Sequence, residues 1–203
     1  MAADTDHFNI VERLADRHEE RIASALVAVE NRVADLIATA PLKDGALFDL
    51  EWALNSRAEL RQIITEEYLS EVDSMIRDYN KVADDAVTML GTYGDLVELD
   101  RNVISQLQSM SFQGLEDLGV EYLDVLAKQG YESTLTGTTF AASVATVKAT
   151  VSDGMGRYVK QQVHDSLTQF DRTINAKIAL DSGAEKFTYR GPDDEVTRDF
   201  CER

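Results

Sequence analysis

The first forty residues contain an unbroken helical pattern, which constrains the fold more than any other feature of the sequence. Residues 6–40 hold no Gly or Pro. Apolar or small side chains and one His recur at steps of three and four, which places them along one side of an α-helix. They are Phe8, Val11, Ala15, His18, Ile22, Ala25, Val29, Val33 and Leu36. A helix of roughly 33 residues is ~50 Å long at 1.5 Å per residue, so it needs a partner helix in this chain or another.

A turn and a second long helix follow the first. Pro41 disfavours helical geometry at Ala40 and has no amide donor, while Lys43, Asp44 and Gly45 provide turn-forming residues. The apolar spacing then predicts a helix over residues 47–90, before a break at Gly91 and Gly94. We expect the two helices to form a long antiparallel hairpin, which defines a first unit at residues 1–90.

A second helical unit is predicted at residues 91–183. Its pattern indicates two shorter helices, at 95–110 and 113–129. Residues 130–137 are β-rich and contain Gly at both ends, which predicts a loop or a short strand. A long helix follows over 138–180, weakened near Gly154 and Gly156. Gly183 is a natural C-cap. The fold class predicted from these patterns is mainly α, an elongated bundle of long helices resembling a helical hairpin or coiled coil.

Composition narrows the class of partner. The chain has 203 residues, 44 % of them hydrophobic, which is enough for a sizeable core. Its formal net charge of −17 repels phosphate, so we expect neither nucleic acid nor anionic membrane as a partner, although the excess acid fits a simple solubility role equally well. A single Cys excludes an internal disulfide. No secretion signal or apolar run of about 20 residues is visible, so no membrane association is expected.

The sequence offers no set of residues typical of catalysis. His7, His18 and His164 lack metal-ligand spacing, and there is no Glu-x-x-His pair of the kind that di-iron helical proteins use. Phosphate-binding glycine loops and nucleophile-elbow motifs are also absent from the sequence. Cys201 lies among carboxylates, which disfavours a reactive thiolate. We therefore expect no enzymatic activity, no metal and no cofactor.

The long apolar seams predict protein contacts. Most seam positions are expected to pack inside the chain, but helices of this length usually leave surplus apolar area for assembly. In the first helix the candidate interaction residues are Phe8, Val11, Ile22 and Val29. Two readings remain open. The first is a subunit that docks through its C-terminal segment, and the second is a free-standing scaffold or regulatory module that pairs through a coiled coil of residues 6–40.

The C-terminal segment, residues 184–203, differs from everything before it. Residues 185–190 are β-prone, and Gly191, Pro192, Asp193 and Asp194 are turn-forming residues. This composition predicts a short non-helical or β-hairpin hook. Its candidate docking residues are Phe187, Tyr189, Arg190, Gly191, Pro192, Asp194, Thr197, Arg198, Phe200 and Cys201.

The same segment resembles a known signature. Tyr189, Gly191 and Pro192, followed by Thr197, Arg198 and Cys201, are similar to the C-terminal motif of Mu F-type minor head (head morphogenesis) proteins of tailed bacteriophages. The preceding residues, 163–175, also resemble that family, so the likeness covers about a fifth of the chain. It departs from the family because Cys201 is third from the end of this sequence, where the family usually continues.

The resemblance implies a virion structural protein. A minor head protein or a head-to-tail connector (adaptor) component would be made in the host cytoplasm and built into the particle. Its implied partners are other copies of itself and portal, capsid or tail proteins.

Overall fold

The computed structural model describes residues 2–91 and 101–181, and these residues are mainly helical, which confirms the predicted mainly α class. The elements in chain order are α1 (Ala2–Ala38), β1 (Leu42–Lys43), β2 (Ala46–Leu47), α2 (Leu50–Ile63), a π-helical segment (Ile64–Leu69), α3 (Ser70–Gly91), α4 (Arg101–Thr136), α5 (Phe140–Lys148), a second π-helical segment (Ala149–Met155) and α6 (Gly156–Asp181).

The chain leaves α1 through a small β-hairpin. Helix α1 ends at Ala38, three residues before Pro41, as the restriction that proline places on the preceding residue predicts. Asp44 and Gly45 both have positive φ angles, 54° and 78°, which two-residue hairpin turns require and which Asp-Gly adopts readily. The turn pairs Leu42 with Leu47 in antiparallel register. The sequence predicted the turn but not the two short strands.

The second helical stretch is continuous from residue 50 to residue 91. Asp49 begins it, because its carboxylate accepts a hydrogen bond from the amide of Trp52, as a helix N-cap does. The stretch passes through the π-helical segment Ile64–Leu69 without interruption. Leu50 and Leu54 fit the apolar spacing of the predicted helix but are exposed, whereas Ala53 and Ser56 are buried. The buried face of α2 is therefore rotated from the row of apolar residues that contains Leu50 and Leu54.

The third stretch differs from the prediction. Residues 101–136 form one helix, α4, where two helices and a loop or strand at 130–137 were predicted. Phe112, at the predicted break, is fully buried against Tyr79 with ring centroids 4.3 Å apart. Thr134 is also buried. Tertiary packing thus overrides weak local helix preference in this stretch. Residues 95–100 of the first predicted helix lie outside the described part of the chain.

The last stretch matches the predicted helix 138–180. Thr139 caps its start by accepting a hydrogen bond from the amide of Ala142. The helix widens into the π-helical segment Ala149–Met155 and continues as α6 to Asp181. The segment contains Gly154 and borders Gly156, the residues predicted to weaken this helix. Single π turns commonly mark such places in long helices.

One hydrophobic core joins the helices on both sides of residue 91. Helix α1 packs on α3 and α6, and α4 packs on α2, α3 and α6. Tyr79 lies at the centre, with Phe112 and Phe170 edge-on to its ring. Helices α1 and α6 are antiparallel, because His7 contacts Asp171 whereas Glu19 contacts Lys160 further along.

The β-hairpin marks one end of this packed body. The amide of Leu47 donates to the carbonyl of Thr138 at 3.0 Å, and the amide of Phe140 donates to the carbonyl of Gly45 at 3.3 Å. These bonds fasten the hairpin to the connection between α4 and α5, and we call this region the hairpin end. His7 lies near the opposite end, which we call the His7 end. Within the described ranges, no helix is both long enough and apolar enough to cross a membrane.

Candidate functional site

The residues predicted to dock partners fall into two groups. Those of the C-terminal segment lie outside the described residues, so the hook and its contacts stay predictions. They are Phe187, Tyr189, Arg190, Gly191, Pro192, Asp194, Thr197, Arg198, Phe200 and Cys201.

The second group lies on α1. Val11, Ile22 and Val29 are buried in the chain's own core, and Ile22 and Val29 have no exposed surface. The side chain of Phe8 lies outside the described part of the structure. Each of the three buried residues therefore contributes to folding of this chain. A further role for them in contact with another molecule stays a prediction.

His7 forms a buried polar contact with two neighbouring helices. Its Nδ1 lies 2.7 Å from Oδ2 of Asp85 on α3, and its Nε2 lies 2.7 Å from Oδ1 of Asp171 on α6. The imidazole is buried, although Asp85 is half-exposed. The hydrogen bond to Asp171, supported by the one to Asp85, raises the pKa of His7 to about 9 against the opposing effect of burial. His7 is thus a cation at neutral pH that joins three helices.

The geometry of this triad does not suit a metal ion. The two carboxylates contact opposite nitrogens of the ring, so they do not converge with one nitrogen on a common point. Within residues 2–91 and 101–181, no group of three His, Cys, Asp or Glu side chains is arranged to hold a metal. His7, Asp85 and Asp171 are better described as an ion-pair cluster that joins three helices, and we call this cluster the ion-pair lock. Sequence analysis missed it because Asp85 and Asp171 lie 78 and 164 residues from His7.

His18, three turns further along α1, has the opposite chemistry. It is fully buried, its Nε2 is 3.7 Å from Oδ2 of Asp78, and neither ring nitrogen has a hydrogen-bond partner among the described residues. Burial lowers its pKa to about 4, although Asp78 opposes that effect. His18 is therefore neutral at pH 7. The sequence had placed it in the apolar seam, which its burial confirms.

Several large apolar side chains are exposed at the hairpin end. Six of the twelve exposed large apolar residues in the described ranges lie on elements of this end, with exposed fractions between 39 % and 62 %. They are Leu42, Phe48, Leu50, Leu54, Tyr131 and Leu135, and we call them the hairpin-end patch. Sequence periodicity could not identify this patch, because its members come from three elements that only the fold brings to one end.

An open groove between α2 and α4 includes two residues of the patch. It has a volume of about 390 Å³, and Leu54 and Tyr131 contribute apolar walls. Arg57 Nη2 lies 2.5 Å from Oδ1 of Asp124 across it. An apolar surface with a charged pair at its rim is typical of a protein-docking site. The hairpin-end patch and this groove are the candidate functional site of the described residues.

A small enclosed cavity lies beneath the same end. It has a volume of about 30 Å³ between α1, α2, α4 and α5. The buried hydroxyl of Ser143 and the carbonyl oxygen of Gln129 line this region and have no hydrogen-bond partner among the described residues. Most of the lining is apolar, but the volume is enough for one or two water molecules, which would satisfy these polar groups. It is too small for an organic cofactor.

Comparisons of this chain with protein-family models, with curated proteins and with solved structures find no match.

Proposed function

We propose that the protein is a structural subunit of a tailed-bacteriophage virion, a minor head or head-to-tail connector component, that works by docking to neighbouring proteins. The observation that carries the docking role is the hairpin-end patch, with its six exposed large apolar residues. Large exposed apolar patches mark sites at which proteins bind partners. The placement in a virion is supported by the resemblance of residues 163–201 to Mu F-type minor head proteins.

The proposal includes a shape. The four helical stretches form an elongated bundle with a non-helical hook at residues 184–203. Long antiparallel helices suit a repeated subunit, since they expose docking surfaces far apart from one another. The hairpin-end patch would bind one neighbour, another copy or a portal, capsid or tail protein. The hook would dock on a second.

The patch is tested by substitution of exposed residues. Leu54→Gln with Leu135→Gln removes apolar surface at the hairpin end while leaving the core intact. The matched control is Val27→Gln with Met110→Gln, because these two residues are also exposed but lie away from that end. We expect the patch variant, and not the control, to lose incorporation into phage particles or self-association measured by light scattering. Equal behaviour of the two variants would contradict the docking role.

The virion role is tested by the C-terminal segment. A chain ending at Gly183 should keep the helical circular dichroism of the full chain but fail to enter particles. Normal incorporation of the truncated chain would contradict the role of the hook. If neither the full chain nor the truncated one ever co-purifies with particles, the virion proposal fails, while the patch result still decides whether the protein docks at all.

Under the alternative of a non-viral scaffold that pairs through a coiled coil of residues 6–40, charges at Ile22 and Val29 would be expected to abolish association. Both side chains are fully buried in this chain, so a charge there would disrupt folding before association is measured. The patch substitutions discriminate better. If the patch variant loses self-association and the original protein is absent from phage particles, the results would favour a free-standing helical scaffold.

A further inference from the structure

A second groove, near the His7 end, has only positive charges in its lining. It lies between α1 and α3 and has a volume of about 310 Å³. Arg13 and Arg17 of α1 and Lys81 of α3 form its charged walls. The apolar residues of the groove are Ile10, Leu14 and Val82.

This groove contrasts with the rest of the chain, whose formal net charge is −17. Among the side chains that the structure describes, no carboxylate lies at ion-pair distance from Arg13 or Arg17. On α3, Asp78 pairs with Lys81 at 2.8 Å and Asp85 pairs with His7, whereas Asp84 is exposed and does not line the groove. The two arginines are thus exposed cations beside an apolar floor. Such a surface is complementary to an acidic peptide that also carries an apolar side chain.

The chain itself contains a peptide of that kind. Asp193, Asp194 and Glu195 are three consecutive acids, and Val196 follows them directly. They belong to the C-terminal segment that lies outside the described residues. Three acids and one apolar residue are complementary in character to the two arginines, to Lys81 beside them and to the apolar floor.

The length of the chain allows this segment to reach the groove. The contacts of His7 with Asp171 and of Glu19 with Lys160 place Arg13 at about the level of residues 165–166 of α6. Asp181, the last described residue, is then about 16 residues further along, or ~24 Å at 1.5 Å per residue. The twelve residues 182–193 span at most ~40 Å when extended. The remaining length suffices to cross from α6 to the groove.

We propose that Asp193, Asp194 and Glu195 dock on Arg13, Arg17 and Lys81 of the same chain, with Val196 against the apolar floor. In the isolated protein the C-terminal segment would then be held on the helical body near the His7 end. This inference concerns the free chain, and it holds or fails independently of what the segment binds in an assembly. The occupant is this chain's own segment, not that of a second copy.

The test uses paramagnetic relaxation in the full-length chain. A nitroxide is attached at Thr197→Cys, with Cys201→Ser to remove the chain's other thiol. We expect it to broaden the amide signals of α1 around Arg13 and Arg17 and of α3 around Lys81. Arg13→Glu with Arg17→Glu should abolish this broadening. The matched control Arg157→Glu reverses an exposed charge outside the groove and should leave the broadening unchanged.

Charge exchange makes the test specific. Adding Asp193→Lys, Asp194→Lys and Glu195→Lys to the Arg13→Glu, Arg17→Glu variant should restore the broadening, and raising salt to 1 M should weaken it in the original chain, because the Debye length falls to about 3 Å. Spectra of the unlabelled variants establish that each is folded.

Two outcomes would overturn the proposal. One is broadening that is absent from the groove or that survives charge reversal there. The other is broadening of an isotope-labelled, nitroxide-free chain mixed with a nitroxide-labelled one, since that would assign the groove to the segment of a second copy.

Discussion

At the residue scale, replacement of His7 should lower the free energy of unfolding substantially. Replacing it with Gln removes a cation that lies 2.7 Å from two carboxylates. We expect His7→Gln to lower the free energy of unfolding by about 2–3 kcal/mol, less than a fully buried pair because Asp85 is half-exposed. Urea denaturation measures this loss. His164→Gln, at an exposed position of α6, should stay within about 0.5 kcal/mol of the original chain.

The two buried histidines should also give the free energy of unfolding a maximum near pH 6.5. The pKa of His7 is raised from 6.5 to about 9. Its contribution to the free energy of unfolding is therefore complete below pH 6.5 and is lost as the pH rises through 9. The loss amounts to up to about 3 kcal/mol. The pKa of His18 is lowered to about 4, so the unfolded chain binds a proton that the folded chain does not between pH 6.5 and 4. Stability therefore also falls as pH decreases through that range.

Urea midpoints measured from pH 4 to pH 9.5 would test this pH dependence. His7→Gln should remove the decrease in the free energy of unfolding at alkaline pH and leave the decrease at acid pH unchanged. His18→Leu should remove the part of the decrease at acid pH that His18 causes. The charged groups around His18 are Asp78, Arg21, Arg17 and Lys81, and those around His7 are Asp171 and Asp85. An alkaline slope that persists in His7→Gln would contradict the assignment.

At the element scale, two glycines of α4 provide a matched pair. A Cβ at Gly119 would meet the ring of Tyr68 and the Cδ2 of Leu69 at 3.0 Å, whereas a Cβ at Gly130 would meet nothing within 4 Å. Gly130→Ala should raise the free energy of unfolding by up to about 1 kcal/mol, because alanine favours the helix. Gly119→Ala should lower it by about 1 kcal/mol, because crowding exceeds that gain. Thermal unfolding of both variants would measure the difference. Stabilisation by Gly119→Ala would contradict the prediction and would show that the side chains of Tyr68 and Leu69 move to accommodate the added Cβ.

Sequence reasoning succeeded for elements with strong periodicity and failed where packing decides. The helix predicted at 6–40 and the turn at Asp44 and Gly45 follow from local rules, and the structure contains both. The continuity of α4 past residue 130 does not follow from such rules. It depends on tertiary contacts, such as the bond that the side-chain amide of Gln129 donates to the hydroxyl of Thr150 at 2.6 Å. The π-helical segments were likewise not predicted, since no local signal specifies them.

The same limit explains what the sequence revealed of the candidate site. The docking residues predicted on α1 were chosen for apolar spacing, and that spacing equally marks a helix that is buried in its own chain, as Ile22 and Val29 are. The hairpin-end patch has no such spacing. Leu54 and Leu135 are brought to one end because the β-hairpin bonds to the connection that follows α4. A surface assembled from three elements becomes visible only with the fold.

At the scale of the whole molecule, the shared core predicts that the body unfolds in one step. The core contains residues from both sides of residue 91, although the sequence suggested two units divided there. Trp52, the only Trp, lies at the hairpin end, where its indole donates to the hydroxyl of Thr39 at 3.3 Å. Thr39 is 32 residues from His7, or ~48 Å along a helix. Trp52 therefore reports on the end of the body remote from His7.

We expect urea unfolding followed by Trp52 fluorescence and by far-ultraviolet circular dichroism to give coincident transitions. His7→Gln, a change at the far end, should move the two transitions by the same amount, because loss of the lock destabilises one cooperative body. A fluorescence transition that stays in place while the dichroism transition shifts would mean that the hairpin end unfolds separately. The helices on either side of residue 91 would then act as independent units despite their common core.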